Sequence, residues 1–514
     1  MTTIIFELAL WWAATASLFL PALSFSGYPL TSIESLIGAV FSLAMAIAFR
    51  FLGAIRPLGC ILLLTLTVSV CGAYYSGLII GNYLGMAIFA VFGIVVLAMA
   101  LVNFPNALRV VGVVGAVQIA AAAISTPSLV RDAGERQAPR GNAASIVHIV
   151  VDEHTGIAAI PDEFQANRRR LEELYIGQGF VVFRRAYTLD KYSHLSLARI
   201  TNPGIADPTT ALSLLRDINR WVITQSEAFS RIGAERVLDL TYFDYISYGP
   251  SVLDQPSVVR WRSLDSDVAV PSITQFRFSV MDRITIASSK AAAWFRLRAK
   301  SKAIGWFFDR TNIGRALWRR SEPTRRTHPI VSRAALSDLV DRLACCGDRG
   351  TYYFAHIFFP HYPYVFDATC QTRPTPEWRT RISDRIDQPD TLDSRTLRYA
   401  LHLEQAECAA RDIRRLDAAI GAKPELQDAT IIVHSDHGSR ISIENRAALA
   451  DPKYGDRAYE RDWRGAFFAV KIPGLAGGAI DRPVRVDKLF DRLIRSGFRG
   501  LDLDSISDDG GDVY

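Results

Sequence analysis

The first 125 residues hold only five charged side chains, Glu7, Glu34, Arg50, Arg56 and Arg109. A water-exposed domain cannot cover its surface with so little charge, so this part of the chain is expected in lipid. Five apolar runs, at roughly 3–23, 32–54, 57–80, 83–103 and 106–125, are each of a length that crosses a bilayer. A cleavable signal peptide fits poorly, because no basic residue precedes the first run and four more runs follow it. Arg50 and Arg56 flank the second connection and Arg109 borders the fourth, whereas the connections near Ser26 to Thr31 and at Gly81-Asn82 carry no charge. Basic residues stay on the cytoplasmic side, which predicts a multi-pass inner-membrane protein with everything after the fifth run on the external or periplasmic side.

Beyond residue 125 the composition changes to that of an ordinary charged globular chain. Residues 126–142 are polar, with two prolines and two glycines, and are expected as a linker. Residues 143–500 are enough for one large α/β domain, and the acidic stretch 501–514 is expected to be a disordered tail. Cys60 and Cys71 fall in the apolar runs, leaving Cys345, Cys346, Cys370 and Cys408 in the polar part. An oxidising compartment permits three complete pairings of those four, and free buried thiols are the alternative. No zinc-finger spacing of Cys and His is present.

Two short segments carry the chemistry. Ala144 to Val151, a β-branched run of strand length, ends abruptly in Asp152-Glu153-His154-Thr155-Gly156, and Ala429 to Val433 ends in His434-Ser435-Asp436-His437-Gly438. Both place carboxylates at the carboxyl end of an expected central strand, where open α/β sheets build their sites. Carboxylate and imidazole donors together suit one divalent metal ion, zinc or manganese above all, with magnesium tolerated by an oxygen-rich set. Asp and His also serve as turn formers and helix caps, so either cluster alone is weak evidence and the pair is much stronger.

With these residues in view, the chain resembles the alkaline phosphatase and sulfatase superfamily. IVVDEHT is similar to its first metal-binding strand and VHSDHGSR to its late Ser-Asp-His-Gly motif. Between them His356-Ile-Phe-Phe-Pro-His361-Tyr-Pro-Tyr364 resembles a segment of membrane-bound sulfatase-like proteins. Together with five apolar runs, this architecture is similar to that of lipoteichoic acid synthases and phosphoethanolamine transferases.

The resemblance implies an α/β sandwich with a mostly parallel central sheet. It also implies a nucleophile on a helix start soon after the first metal strand, which directs attention to Ser193 and Ser196 in Tyr192-Ser-His-Leu-Ser-Leu. Ser193 is the candidate nucleophile, with Thr188 and Thr155 as weaker alternatives and a plain helix cap as the bland one. The implied metal ligands are Asp152, Ser193, Asp436 and His437, with Glu153 supplementing or replacing Asp152. Arg440 would clamp a phosphoryl oxygen, and His356 and His361 would bind substrate or protonate the leaving group; an ion pair for the arginine and core positions for the histidines are the alternatives. After His437 the chain has no further histidine, which speaks against a complete two-metal set. Ser193-His-Leu-Ser-Leu lacks the Pro and Arg of formylglycine-forming sulfatases, which favours phosphoester over sulfate-ester chemistry. An inactive relative that binds an envelope polymer is a further class.

Residues 290–328 hold eleven Lys or Arg against Asp309 and Glu322, interleaved with Trp294, Trp306, Phe307, Phe308 and Trp318. Such a mixture is expected at a membrane surface, where rings enter the headgroup boundary and cations meet anionic lipids. Bacterial membrane lipids and an envelope lipid or glycan are the expected partners, and no nucleic-acid motif is present. The alternative is a solvated helical hairpin.

Overall fold

In the computed structural model the described residues are 2–25, 28–51, 130–133, 141–215, 220–243, 245–264, 276–298, 326–380, 392–441 and 456–501, with residue 324 and short pieces between 108 and 120. The chain divides into two units, residues 1–129, 267–274 and 278–326 in the first and residues 130–266, 275–277 and 327–514 in the second.

In the first unit, the first two apolar runs form helices Thr2–Phe25 (α1) and Ile33–Phe51 (α2). Polar side chains tie the two helices together. The Trp12 indole N–H donates to the Ala39 carbonyl at 3.0 Å and the Thr15 hydroxyl to the Ser42 carbonyl at 3.0 Å. Helix Val280–Arg298 packs on α1 and α2, where Arg283 meets the buried Glu34 at 2.6 Å. It covers the first part of the basic aromatic stretch; residues 299–323 lie outside the described residues, as do most of the last three apolar runs. Among the described residues no helix is long and apolar enough to cross a membrane, so the five-span anchor expected from hydropathy has no support from the described helices. Ile4, Ile5, Phe6, Leu36, Val40 and Phe41 are nevertheless exposed on α1 and α2.

The second unit is built on strands named in chain order. These are β1 (Val130–Ala133), β2 (Ile146–Val151), β3 (Val181–Tyr187), β4 (Leu212–Leu215), β5 (Arg220–Ile223) and β6 (Val237–Phe243). They continue with β7 (Ile246–Tyr248), β8 (Val258–Leu264), β9 (Thr351–Ile357), β10 (Thr430–His434), β11 (Phe468–Lys471) and β12 (Gly478–Arg485). Among the described residues a nine-stranded sheet runs β1-β8-β6-β9-β2-β10-β11-β3-β12, and β4-β5-β7 form a small second sheet. Every neighbouring pair from β8 to β10 is parallel, as is β3 with β12, whereas β1 and β11 run antiparallel to their neighbours. The expected α/β architecture with a mostly parallel sheet is therefore present.

β2 and β10 are buried on both faces, which is why they read as continuous apolar runs rather than alternating ones. Ile146, Val150, Ile432, Leu240 and Phe354 join one core with Leu197, Phe229, Ile232, Leu489 and Phe490, which come from helices Ser193–Thr201 (α3), Glu227–Gly233 and Val486–Arg495. A second helical group consists of Gln165–Ile176, His328–Cys346 and Leu392–Gly421, with His328–Cys346 lying against β9.

One detail differs from the sequence expectation, and another was left open by it. Val130–Ala133, assigned to a linker, is an edge strand paired with β8 from Val130↔Leu264 to Ala133↔Trp261. Of the open cysteine pairings, the structure has Cys370–Cys408 and the adjacent Cys345–Cys346. Cys370–Cys408 fastens the segment after β9 to the long helix Leu392–Gly421. Of the tail 501–514, only Leu501 is described.

Candidate metal centre and nucleophile

β2 and β10 are hydrogen-bonded neighbours with His434 opposite Val150, so their carboxyl ends open side by side. The chain turns at once after each strand because further chain packs across both ends. Thr155 bridges to Ala466, and a Cβ on Gly438 would lie 2.1 Å from the Asp462 carbonyl oxygen. Position 438 therefore excludes any side chain. Asp152, Asp436 and His437 are driven into one buried point, and their donor atoms all lie within 4.8 Å of one another.

Ser193 reaches the same point from the third direction. It is the first residue of α3, and Tyr192, not Ser193, takes the cap position. The Ser193 hydroxyl lies 3.3 Å from Asp152 Oδ2 and 3.0 Å from His437 Nε2. The plain helix-cap alternative thus does not describe its contacts. Ser196, one turn on, donates its hydroxyl to the Asp436 carbonyl and fastens the helix to the end of β10. Thr155 pairs with His402 at 3.0 Å and Thr188 donates to the Asp190 carbonyl at 3.0 Å, so both alternative nucleophiles are engaged elsewhere.

The donor set fits a cation. Burial and the neighbouring Asp152 push the Asp436 carboxyl up to about 7, the mark of two carboxylates sharing a dry site. Asp436 Oδ2 and both ring nitrogens of His356 are buried without a hydrogen-bond partner among the described residues. His437 Nδ1 lies 2.8 Å from the Gly438 carbonyl, which makes Nδ1 the donor and leaves the Nε2 lone pair facing the site. That lone pair is 3.4 Å from Asp436 Oδ2 and 3.7 Å from Asp152 Oδ1. Three electron-rich groups facing one another are repulsive unless a positive charge stands among them. His356 Nε2, 3.7 Å from Asp152 Oδ2, adds a fourth. Burial lowers the His356 pKa to about 4, so this imidazole is neutral at physiological pH and suited to ligation.

Glu153 lies with Asp152 and His361 in a second buried group whose donor atoms are within 4.8 Å of one another. Its backbone is in the left-handed region at φ 63°, which turns the side chain away towards Arg440, itself left-handed at φ 57°. Arg440 donates to Glu153 Oε1 from Nε at 3.0 Å and again from Nη2. Burial alone would lower the arginine pKa, and the carboxylates of Glu153 and Asp152 reverse that and raise it. Arg440 was expected to clamp a phosphoryl oxygen, with an ion pair as the alternative; its guanidinium is paired with the buried Glu153. His361 stands 3.6 Å from the same Glu153 oxygen, with Nδ1 2.6 Å from the Tyr362 carbonyl.

Beneath the carboxylates lies a relay that sequence reading missed. His434 Nδ1 donates to the Ser435 carbonyl at 2.9 Å, so its Nε2 accepts from His148 Nε2–H at 2.7 Å. His148 Nδ1 in turn accepts from the Tyr352 hydroxyl at 2.5 Å. Burial lowers the pKa of both histidines, so the chain of bonds has one neutral direction. It ends on the peptide that precedes Asp436. The only sequence signal was a histidine within each strand, and nothing in the sequence says that the two strands are neighbours.

No family model matches the sequence, and no curated protein matches it either. Among solved structures the chain is similar to phosphonate monoester hydrolase SpPMH from Silicibacter pomeroyi, at 14% identity and TM-score 0.39 over 70% of this chain and 74% of that one. It is similar to the C-terminal periplasmic domain of EcEptC from Escherichia coli in complex with Zn, at 10% identity and TM-score 0.38 over 74% of this chain and 88% of that one. It is also similar to BT1596, a 2-O GAG sulfatase, at 12% identity and TM-score 0.38 over 71% and 72%.

Proposed function

We propose that this chain is a metal-dependent enzyme that hydrolyses or transfers phosphoester groups, of phosphoethanolamine or phosphoglycerol type, on envelope lipids or glycans. The carrying observation is the Ser193 hydroxyl, held at a helix start within hydrogen-bond distance of Asp152 and His437 and beside Asp436. One divalent ion, zinc or manganese, would be held by Asp152, Ser193, Asp436 and His437, with His356 adjacent. Bound there, it supplies positive charge against the nucleophile and the nonbridging oxygens.

The chain's own residues do the rest. Asp152 and His437 aim the Ser193 oxygen into the site, and the first-turn amides of α3, which have no partner within the helix, favour an anionic phosphoryl group there. Attack by the Ser193 oxygen on phosphorus, with the hydroxyl proton passing to Asp152 to which it donates, breaks the bond to the departing alkoxide and leaves a phosphoserine. Water or a second alcohol then attacks that phosphorus and restores the serine. His361, beside Glu153, is the residue that donates a proton to the departing alkoxide; His356, neutral at physiological pH, is not. Arg440 acts through Glu153, whose charge it neutralises.

The apolar character of residues 1–125 and the exposed side chains on α1 and α2 support attachment to the inner membrane, with the second unit on the external side. The test uses the intact chain in detergent. Near-stoichiometric divalent metal, and turnover of bis(p-nitrophenyl) phosphate that disappears in Ser193→Ala, are expected. A folded, metal-reconstituted protein without turnover would leave the binding-protein alternative standing.

A further inference from the structure

Away from the Ser193 cluster, and sharing no residue with it, the second unit has a polar cavity of about 510 Å³ whose lining includes Arg277, Arg333, Arg415, Ser337 and Gln371. Its lining is anchored at Arg333. Arg333 is fixed by Asp412, with Nε donating to Oδ2 at 2.7 Å, and by the Cys370 carbonyl, to which Nη1 donates at 2.9 Å. The flat guanidinium also lies over Phe366 at 4.7 Å and Phe276 at 5.2 Å, while the Cys370–Cys408 disulfide pins the adjoining backbone to the long helix.

Its charge is unbalanced. Among the described residues Asp412 is the one carboxylate paired with the lining arginines, and it serves Arg333 and, at 3.5 Å, Arg415. Among the described residues the Arg277 guanidinium makes no ion pair, and neither the Ser337 hydroxyl nor the Gln371 side-chain amide makes a hydrogen bond. Three guanidinium groups against one carboxylate, with a hydroxyl and an amide still to be satisfied, match the needs of a tetrahedral oxyanion.

From this geometry we infer a second, non-catalytic site that binds a phosphate or sulfate group between Arg277, Arg333 and Arg415. The forked donors of arginine meet two oxygens of such a group at once, while the amide and hydroxyl complete it. The group comes either as the free ion or as the esterified end of a larger ligand.

The experiment is calorimetric titration of the intact chain in detergent at low ionic strength with inorganic phosphate, sulfate and glycerol 1-phosphate. Wild type is compared with Arg277→Ala/Arg415→Ala, with Asp436→Asn, and with Arg169→Ala/Arg495→Ala, a control pair of exposed arginines elsewhere. Saturable binding that weakens tenfold or more in Arg277→Ala/Arg415→Ala, and persists in Asp436→Asn and in the control pair, is expected. Glycerol 1-phosphate binding more tightly than inorganic phosphate assigns the site to an esterified group, and the reverse assigns it to the free ion. Dissociation constants within twofold of wild type in Arg277→Ala/Arg415→Ala, or an equal loss in the control pair, overturn the site. Because no turnover is read, failure of the phosphoester reading leaves this outcome unchanged, and the converse holds too.

Discussion

Two groups of buried acids and imidazoles share Asp152 and differ in one respect. Asp152, Asp436 and His437 face one another with no Lys or Arg paired to Asp436 among the described residues, whereas Asp152, Glu153 and His361 have Arg440 built into them. Donor type and spacing alone would make both groups metal sites. The guanidinium decides between them, because a buried carboxylate already neutralised gains little from a divalent ion and would have to give up a paired arginine to receive it. The single-ion reading thus rests on charge accounting as well as on the sparse histidines.

The largest expected effect breaks the unneutralised group. Asp436→Asn should abolish tight metal binding and lower phosphodiester turnover at least about a thousandfold, measured by metal content and steady-state kinetics. Ser193→Ala should cost a similar factor in turnover while keeping most of the metal, which separates nucleophile from ligand shell. Equal metal loss in both would show that the serine is chiefly a ligand.

Arg440→Gln tests the neutralised group. It takes the guanidinium from the buried Glu153, and should cost about 3 to 5 kcal/mol of stability by denaturant unfolding. The double change Arg440→Gln/Glu153→Gln should recover much of that. If the single variant instead folds normally and takes up a second equivalent of metal, Arg440 is what keeps the second group empty.

Much of this was legible in the sequence, and the limits are instructive. β2 and β10 announce themselves because strands buried on both faces must be continuously apolar, and the polar residues that interrupt them mark the sheet's end. The four proposed metal ligands lie at two such ends and at the helix start between them, so local pattern and resemblance together located them. The partner of Arg440 was not legible, because three residues after His437 is a sequence distance, whereas the ion pair with Glu153 joins two left-handed backbones at 153 and 440. β1 was taken for linker because an edge strand of four residues with Arg and Asp in it has no apolar signature. The His148–His434 relay depends on which strands are neighbours, and that order is a property of the whole sheet.

That relay sets the next prediction. His148→Phe removes the donor to His434 and frees its ring, and with it the Ser435 peptide that carries Asp436. Residues that orient ligands from behind typically contribute ten- to a hundredfold in metal affinity. A loss of that size by chelator competition, with overall stability lowered much less, is expected. His361→Ala, which touches the neutralised group, should leave metal affinity near wild type.

The smallest effect is the most diagnostic of the contrast, because it reads the unneutralised pair directly. In the metal-free protein the Asp436 carboxyl is raised to about 7 from an ordinary 3.8 by burial and by Asp152. A raised acid means that the folded state holds a proton which the unfolded state has released between those two values, so this group makes the metal-free protein less stable as pH rises from about 4 to about 7. A bound divalent ion takes the proton's place, and binding should release close to one proton per ion at the middle of that range. Metal affinity should therefore climb by up to about tenfold per pH unit below 7 and flatten above it, and the gain in melting temperature on adding metal should follow the same curve. In Asp436→Asn the slope should vanish along with the tight site. A wild-type slope that persists unchanged to pH 9 would place the titrating group elsewhere and remove the electrostatic ground for preferring Asp436 over Glu153.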